Sequence, residues 1–162
     1  MKIYKISDDF FIENAKTCAF TGHRVLEKNF NDSNLRITID YLLTQGYKYF
    51  LVGMALGFDT LCFDVLQEYK KNNKIKIVAC IPCENQADKF NISQKKKYNE
   101  MLKLADYKVA IRKNYTETCM QLRNKFMIDN CSCVVAHIKR NYGGTAKTVD
   151  YAIQQQKKIY YV

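Results

Sequence analysis

Six short apolar runs, each separated from the next by a segment of helical period, constrain this chain more than any other feature. The runs are Thr17 to Thr21, Tyr47 to Val52, Ile75 to Ile81, Tyr107 to Ile111, Cys133 to Ile138 and Lys158 to Val162. Between them, Leu35, Ile39, Leu42 and Leu43 fall on one helical stripe after Asp32-Ser33, a cap signal, and Gly46 ends it. Leu61, Cys62, Val65, Leu66 and Tyr69 form a second stripe, Tyr98, Met101, Leu102 and Ala105 a third, and Ala146, Val149 and Ile153 a fourth. Near-continuous apolar strands joined through helices require a parallel sheet covered on both faces, because every crossover lays a helix on the sheet. The expected class is therefore α/β: a doubly wound, mainly parallel sheet of about six strands with helices on both faces. Counting only these six runs, the expected strand order is 3-2-1-4-5-6, with the ligand crevice at the carboxyl ends of the strands.

The 162 residues, 48% of them hydrophobic, suit one domain over residues 1–162, with 1–16 as a short N-terminal extension. The net charge of +10 comes from 21 Lys and only 5 Arg, beside 13 Asn and 12 Tyr. That skew reads as composition bias on solvated faces, and it is weak support for nucleic acid. Met1 to Lys16 carries Asp8-Asp9 and no continuous apolar stretch, and no run approaches a membrane span. With seven cysteines, the expectation is a cytoplasmic protein with reduced thiols and no membrane partner. The pairs Cys80-x-x-Cys83 and Cys131-x-Cys133 fall at the end of one strand and the start of another. They would lie at opposite sheet edges, roughly 16 Å apart for a five-residue strand. No metal is expected, and the thiols read as small buried hydrophobes.

Three glycine-containing turns follow the first, second and fifth runs and must open on the same edge. They are Gly22-His23-Arg24, then Gly53-Met54-Ala55-Leu56-Gly57 with Asp59, and Gly143-Gly144-Thr145. The free N–H groups at a helix start, with the positive end of the dipole, make such turns suited to a phosphate. Thr145 adds a hydroxyl. Asp59 reads either as a carboxylate serving the helix dipole or as an acceptor for ribose hydroxyls. His23 reads as an acid-base or phosphate-binding group, or as a structural hydrogen-bonder. Arg123 lies mid-arc among Cys119, Met120, Leu122, Phe126 and Met127 and so should face inward. A buried guanidinium needs an anion, either a ligand phosphate or an internal carboxylate such as Asp106 or Asp129.

These residues, in this order, resemble the YpsA-like family of the SLOG superfamily of Rossmann-like proteins, which also includes DprA and the LOG enzymes that release cytokinin bases from their ribotides. The resemblance spans nearly all of Thr17 to Val162. It rests on Thr21-Gly22-His23-Arg24, Gly53-x-Ala55-x-Gly57-x-Asp59, Ile81-Pro82 with Gln86, Tyr98, Ala105-Asp106, Arg123-Asn124-x-x-Met127-x-Asp129 and Gly143-Gly144-Thr145. It implies a cytoplasmic, bacterial-type protein that binds a nucleotide or nucleotide-derived ligand without a cofactor. It places the ligand on Gly22, His23, Arg24, Gly53, Ala55, Gly57, Asp59, Arg123, Asn124, Gly143, Gly144 and Thr145. A homodimer is expected by the same analogy, although the sequence identifies no surface for it.

The LOG catalytic arginine falls on Arg123, but the LOG catalytic glutamate falls on Thr148, so the cation is kept and the acid is missing. Glycosidic cleavage needs a carboxylate at the oxocarbenium-like centre or on the attacking water. The leading expectation is thus a sensor-type binding protein. The alternative is a hydrolase of the N-glycosidic or phosphate bond of a nucleotide, with Arg123, His23 and Asp129 as catalytic candidates and Asp59 as a further substitute acid. The third is single-stranded nucleic acid binding of the DprA type.

Overall fold

In the computed structural model, which describes residues 1–162, the apolar runs become strands because their side chains alternate between two buried faces. After strand β1 (Lys5–Ile6) come β2 (Thr17–Gly22), α1 (Ser33–Thr44), β3 (Tyr49–Val52) and α2 (Phe58–Lys70). The chain continues through β4 (Lys76–Cys83), α3 (Ile92–Leu104), β5 (Tyr107–Arg112) and α4 (Cys119–Asp129). It ends with β6 (Cys133–His137), α5 (Gly144–Gln154) and β7 (Lys158–Tyr161). The fold is α/β, Rossmann-like and mainly parallel.

Cys18, Phe20, Phe50, Val52, Ile77 and Ala79 point to one face and pack under α1, α2 and α3, through Leu35, Ile39, Phe63, Leu66 and Met101. Ala19, Leu51, Val78 and Val134 point to the other, against Phe126 and Met127 of α4 and Val149 and Ala152 of α5. Helix α3 starts with a capping box in which the Asn91 side chain accepts from the Gln94 N–H and the Gln94 side chain accepts from the Asn91 N–H. Asp32, expected as the cap of α1, instead accepts from Arg36 Nε at 3.0 Å, while Asn31 Oδ1 accepts from the Ser33 N–H at 2.8 Å.

The sheet has seven strands in the order β1-β5-β4-β3-β2-β6-β7, parallel except for β1 against β5. This corrects the expected order in one respect. The fourth core strand, β5, does not cross to the first but pairs with β4, and β6 takes the place beside β2. The residues explain the difference. β5 carries exposed Lys108 and half-buried Arg112, as suits a strand near an edge, whereas all five residues of β6 are buried, as suits a central strand. The seventh strand comes from the N-terminal extension, where Lys5 and Ile6 pair with Ala110 and Val109. Two exposed residues carry no strand pattern, so this strand is invisible to periodicity.

All seven cysteines are buried as free thiols. Cys80 and Cys83 lie toward the carboxyl end of β4, and Cys133 opens β6 at the amino edge. No helix is long and apolar enough to cross a membrane.

Phe50 is fully buried at the centre of the larger core cluster. Phe50→Ala should lower the unfolding free energy by about 3–5 kcal/mol in urea titration, while Ile37→Ala, on the exposed face of α1, should change it by less than about 0.5 kcal/mol.

Candidate functional site

Strand β2 is paired on both sides, with β3 on one and β6 on the other. The chain builds outward from β2 through β3, β4 and β5, then returns to its other side, so the loops after β2 and β6 diverge over opposite faces. A crevice opens where they part. Its volume is about 270 Å³. The walls are Phe20, Thr21 and Gly22 from the end of β2, His23, Arg24 and Val25 beyond it, Gly53 and Ala55 after β3, and Asp59 from the first turn of α2. Met120, Arg123, Asn124 and Met127 of α4 close one side, and Arg140, Gly144 and Thr145 close another.

Ten of the twelve expected ligand residues therefore line one hollow. The other two shape it from behind. Gly57 has φ +78°, and a Cβ there would lie 2.3 Å from the Arg24 carbonyl oxygen, so only glycine lets the two loops touch. The contact is sealed by the Phe58 N–H donating to His23 O at 3.0 Å. Gly143 precedes α5 with φ +90°. Met54, also at positive φ (63°), is held in that costly conformation by complete burial of its side chain.

Arg123 faces inward as its helical position requires and is 5% exposed. Its partners are not the carboxylates the sequence suggests. Nη1 donates to Gly53 O and, at 3.4 Å, to Cys80 O, and Nε donates to Asn124 Oδ1 at 2.7 Å, which leaves Nη2 without a protein partner. Asp106 is taken by Lys70 at 2.7 Å and Asp129 by the Tyr151 hydroxyl at 2.5 Å. Asp129 sits at the last turn of α4, outside the crevice lining, so the structure does not bring this catalytic candidate to the others.

Asp59 is the carboxylate near Arg123. A Cβ at Gly53 would stand 2.8 Å from both Asp59 Oδ2 and Arg123 Nη1, so the bare glycine is the gap that lets both groups reach the crevice floor. Asp59 Oδ2 accepts the Ala55 N–H at 3.1 Å, and Oδ1 has no protein donor. Burial raises its carboxyl pKa, a rise only partly offset by Arg123, the Ala55 N–H and Arg24. Burial in turn lowers that of Arg123, with Asp59 opposing.

His23 is already engaged. Its Nε2 accepts the Lys139 N–H at 2.9 Å, which makes Nδ1 the protonated nitrogen and ties the end of β2 to the basic turn before α5. Burial, then Arg140 and His137, lowers its pKa against the opposing pull of Glu27. Thr148, at the LOG glutamate position, donates back to Gly144 O at 2.8 Å and does not line the crevice. Sequence reasoning missed Arg140 and Met120. Arg140 follows Lys139 just before the double glycine, a basic turn whose position was the available signal, and Met120 Sδ contacts Arg24 Nη2 at 2.8 Å.

Residues 18–161 match the model of the YspA SLOG family. The chain belongs to this family. It is 34% identical over 140 residues to the uncharacterized SPbeta prophage-derived protein YoqJ of Bacillus subtilis, covering 78% of this chain and 80% of that one. UPF0398 protein OB1025 of Oceanobacillus iheyensis is 24% identical over 157 residues, or 90% and 85% of the two chains. Among solved structures, DNA processing protein A (DprA) of Streptococcus pneumoniae superposes with a TM-score of 0.71 at 15% identity, over 91% of this chain and 50% of that one. The same protein from Helicobacter pylori, described for its single-stranded DNA binding mode, gives 0.64 at 16% identity over 91% and 65%. At such identities the likeness is one of fold.

Two outcomes follow for stability. Gly57→Ala should cost more than about 1 kcal/mol by urea titration, because both its backbone angle and its contact with Arg24 are lost. A lowered folded pKa for His23 means the unfolded chain binds the proton more readily. Its contribution is complete above the unfolded value of about 6.5 and declines as pH falls through the folded one. His23→Gln, which keeps an acceptor for the Lys139 N–H, should flatten the stability profile between pH 7 and pH 5.

Proposed function

We propose that this protein is a sensor-type binding protein for a nucleotide or nucleotide-derived ligand, whose phosphate enters the crevice at the carboxyl edge of β2 and β6. The observation that carries this reading is the charge balance of the hollow. Arg24, Arg123 and Arg140 face a single carboxylate, Asp59, and one guanidinium nitrogen of buried Arg123 is unclaimed by the protein. A surplus of two positive charges suits a phosphate monoester dianion. The starts of α2 and α5 meet at the same place, and a Cβ at Gly144 would touch nothing, so an anion can approach the backbone amides. The Thr145 hydroxyl makes no hydrogen bond within the protein and is free to donate. Asp59 Oδ1 is placed to accept from a ribose hydroxyl on the same ligand.

One observation favours turnover as a second reading. Asp59 is a buried carboxyl in a cleft beside two arginines, its pKa raised by burial, an arrangement suited to acid-base work on a glycosidic bond. Thr148 offers no acid and His23 Nε2 is occupied, so a hydrolase here would depend on Asp59. Binding without hydrolysis is the simpler fit to the missing glutamate.

Isothermal calorimetry against a panel of mononucleotides, cyclic nucleotides and nucleotide sugars should detect at least one ligand tighter than about 1 mM. Arg140→Ala, on the exposed rim, should weaken it about tenfold, and Arg123→Ala more. Absence of binding across the panel overturns the proposal. Base release that Asp59→Asn abolishes would replace it with the hydrolase, and oligonucleotide binding that falls steeply with salt would replace it with the DprA-type reading.

A further inference from the structure

The phosphate crevice does not end at Ala55. A second hollow of about 390 Å³ adjoins it, and Arg24, Ala55 and Met120 line both. The two differ in chemistry. The second has Leu56, Phe90 and Tyr115 in its walls, together with Asn85 and, of opposite charge, Asp88 and Lys89. At about 270 Å³ the crevice alone falls below the range of about 300–1,000 Å³ usual for small-molecule sites, and the two lobes together fall inside it.

Asn85 is the unexplained group. Its Oδ1 is buried and has no hydrogen-bond partner, a condition that costs free energy unless a ligand donor meets it. In its neighbour Gln86, both ends of the amide are engaged within the protein. Gln86 Nε2 donates to Gly53 O at 3.4 Å, and Gln86 Oε1 accepts the Tyr98 hydroxyl at 3.1 Å. The turn is further closed by the Asp88 N–H on Asn85 O and the Phe90 N–H on Ala87 O, at 3.1 and 3.0 Å. Phe90 rests edge-on against Tyr98 with ring centroids 5.8 Å apart. The wall is thus anchored to the crevice through Gly53, and it carries one buried acceptor that no protein donor meets.

We infer that this second lobe is the base compartment of the site: it takes a nucleobase between Leu56, Phe90 and Tyr115, with an N–H at the edge of the base donating to Asn85 Oδ1. The inference rests on the nucleotide reading of the crevice and adds to it the residue that reads the base. Flat apolar walls accept the π-faces, and an amide acceptor rejects a base that has no donor to offer.

The test compares AMP, GMP, CMP and UMP with ribose 5-phosphate, which lacks a base, and with purine riboside 5′-phosphate, whose base carries no N–H. At least one of the four nucleotides should bind tenfold or more tighter than both comparison ligands. Asn85→Ala should bring that nucleotide to within about threefold of ribose 5-phosphate while leaving ribose 5-phosphate unchanged. Tyr115→Ala removes a ring that is already 60% exposed, keeps the core intact, and should weaken the nucleotide alone. Equal binding of nucleotide and ribose 5-phosphate, or full affinity for purine riboside 5′-phosphate, overturns the base compartment while leaving the phosphate crevice standing. So does a folded Asn85→Ala protein, by thermal melt, with wild-type affinity. If ribose 5-phosphate and every nucleotide fail to bind, the crevice reading falls and the base compartment falls with it.

Discussion

The Arg123 guanidinium is the contact on which the site's arrangement depends. It reaches from α4 across the carboxyl edge of the sheet to the backbone carbonyl of Gly53 after β3 and that of Cys80 in β4. A guanidinium supplies several donors in one plane, so one side chain can serve carbonyls from the end of β3 and from β4 together. The same bonds that seat α4 over the sheet also hold a positive charge out of water. That charge is tolerated because Asp59 stands close by and opposes the effect of burial. An apolar substitute at this position could fill the space but would leave the Gly53 and Cys80 carbonyls without their donor.

The double pairing of β2 determines where that charge is displayed. Since β3 and β6 flank it in parallel, the turns that follow all three strands open on one edge, and α2 and α5 start side by side over opposite faces. His23 and Gly57 then lock the turns together, one through the Lys139 N–H and the other through close approach to the Arg24 carbonyl. These contacts set the shape of the crevice.

Much of this was legible in the residues. Helical spacing placed Arg123 inward, and the apolar runs predicted the strands to within one or two residues at most ends. The three glycine turns announced a shared edge. Other parts were not legible, each for a physical reason. Whether Asp59 or Asp106 neighbours Arg123 depends on how α4 lies against the rest of the fold, a through-space distance unrelated to sequence spacing, while Asp129, on α4 itself, is turned to Tyr151 of α5. Arg140 and Asn85 sit in loops, where no period reports the direction of a side chain. The place of β5 follows from charge within the strand, since Lys108 and Arg112 keep contact with water only near the sheet edge, a preference that the apolar pattern alone does not carry.

By itself the sequence determined the local order: which segments pair as strands, which wind as helices, and which turns leave the backbone bare. Those follow from side-chain periodicity and steric freedom, which act between near neighbours. The tertiary structure alone decided the strand order, the neighbours of Arg123 and the joining of two hollows at Ala55 and Met120. These depend on long-range packing, in which the burial of whole faces outweighs the preference of any one residue.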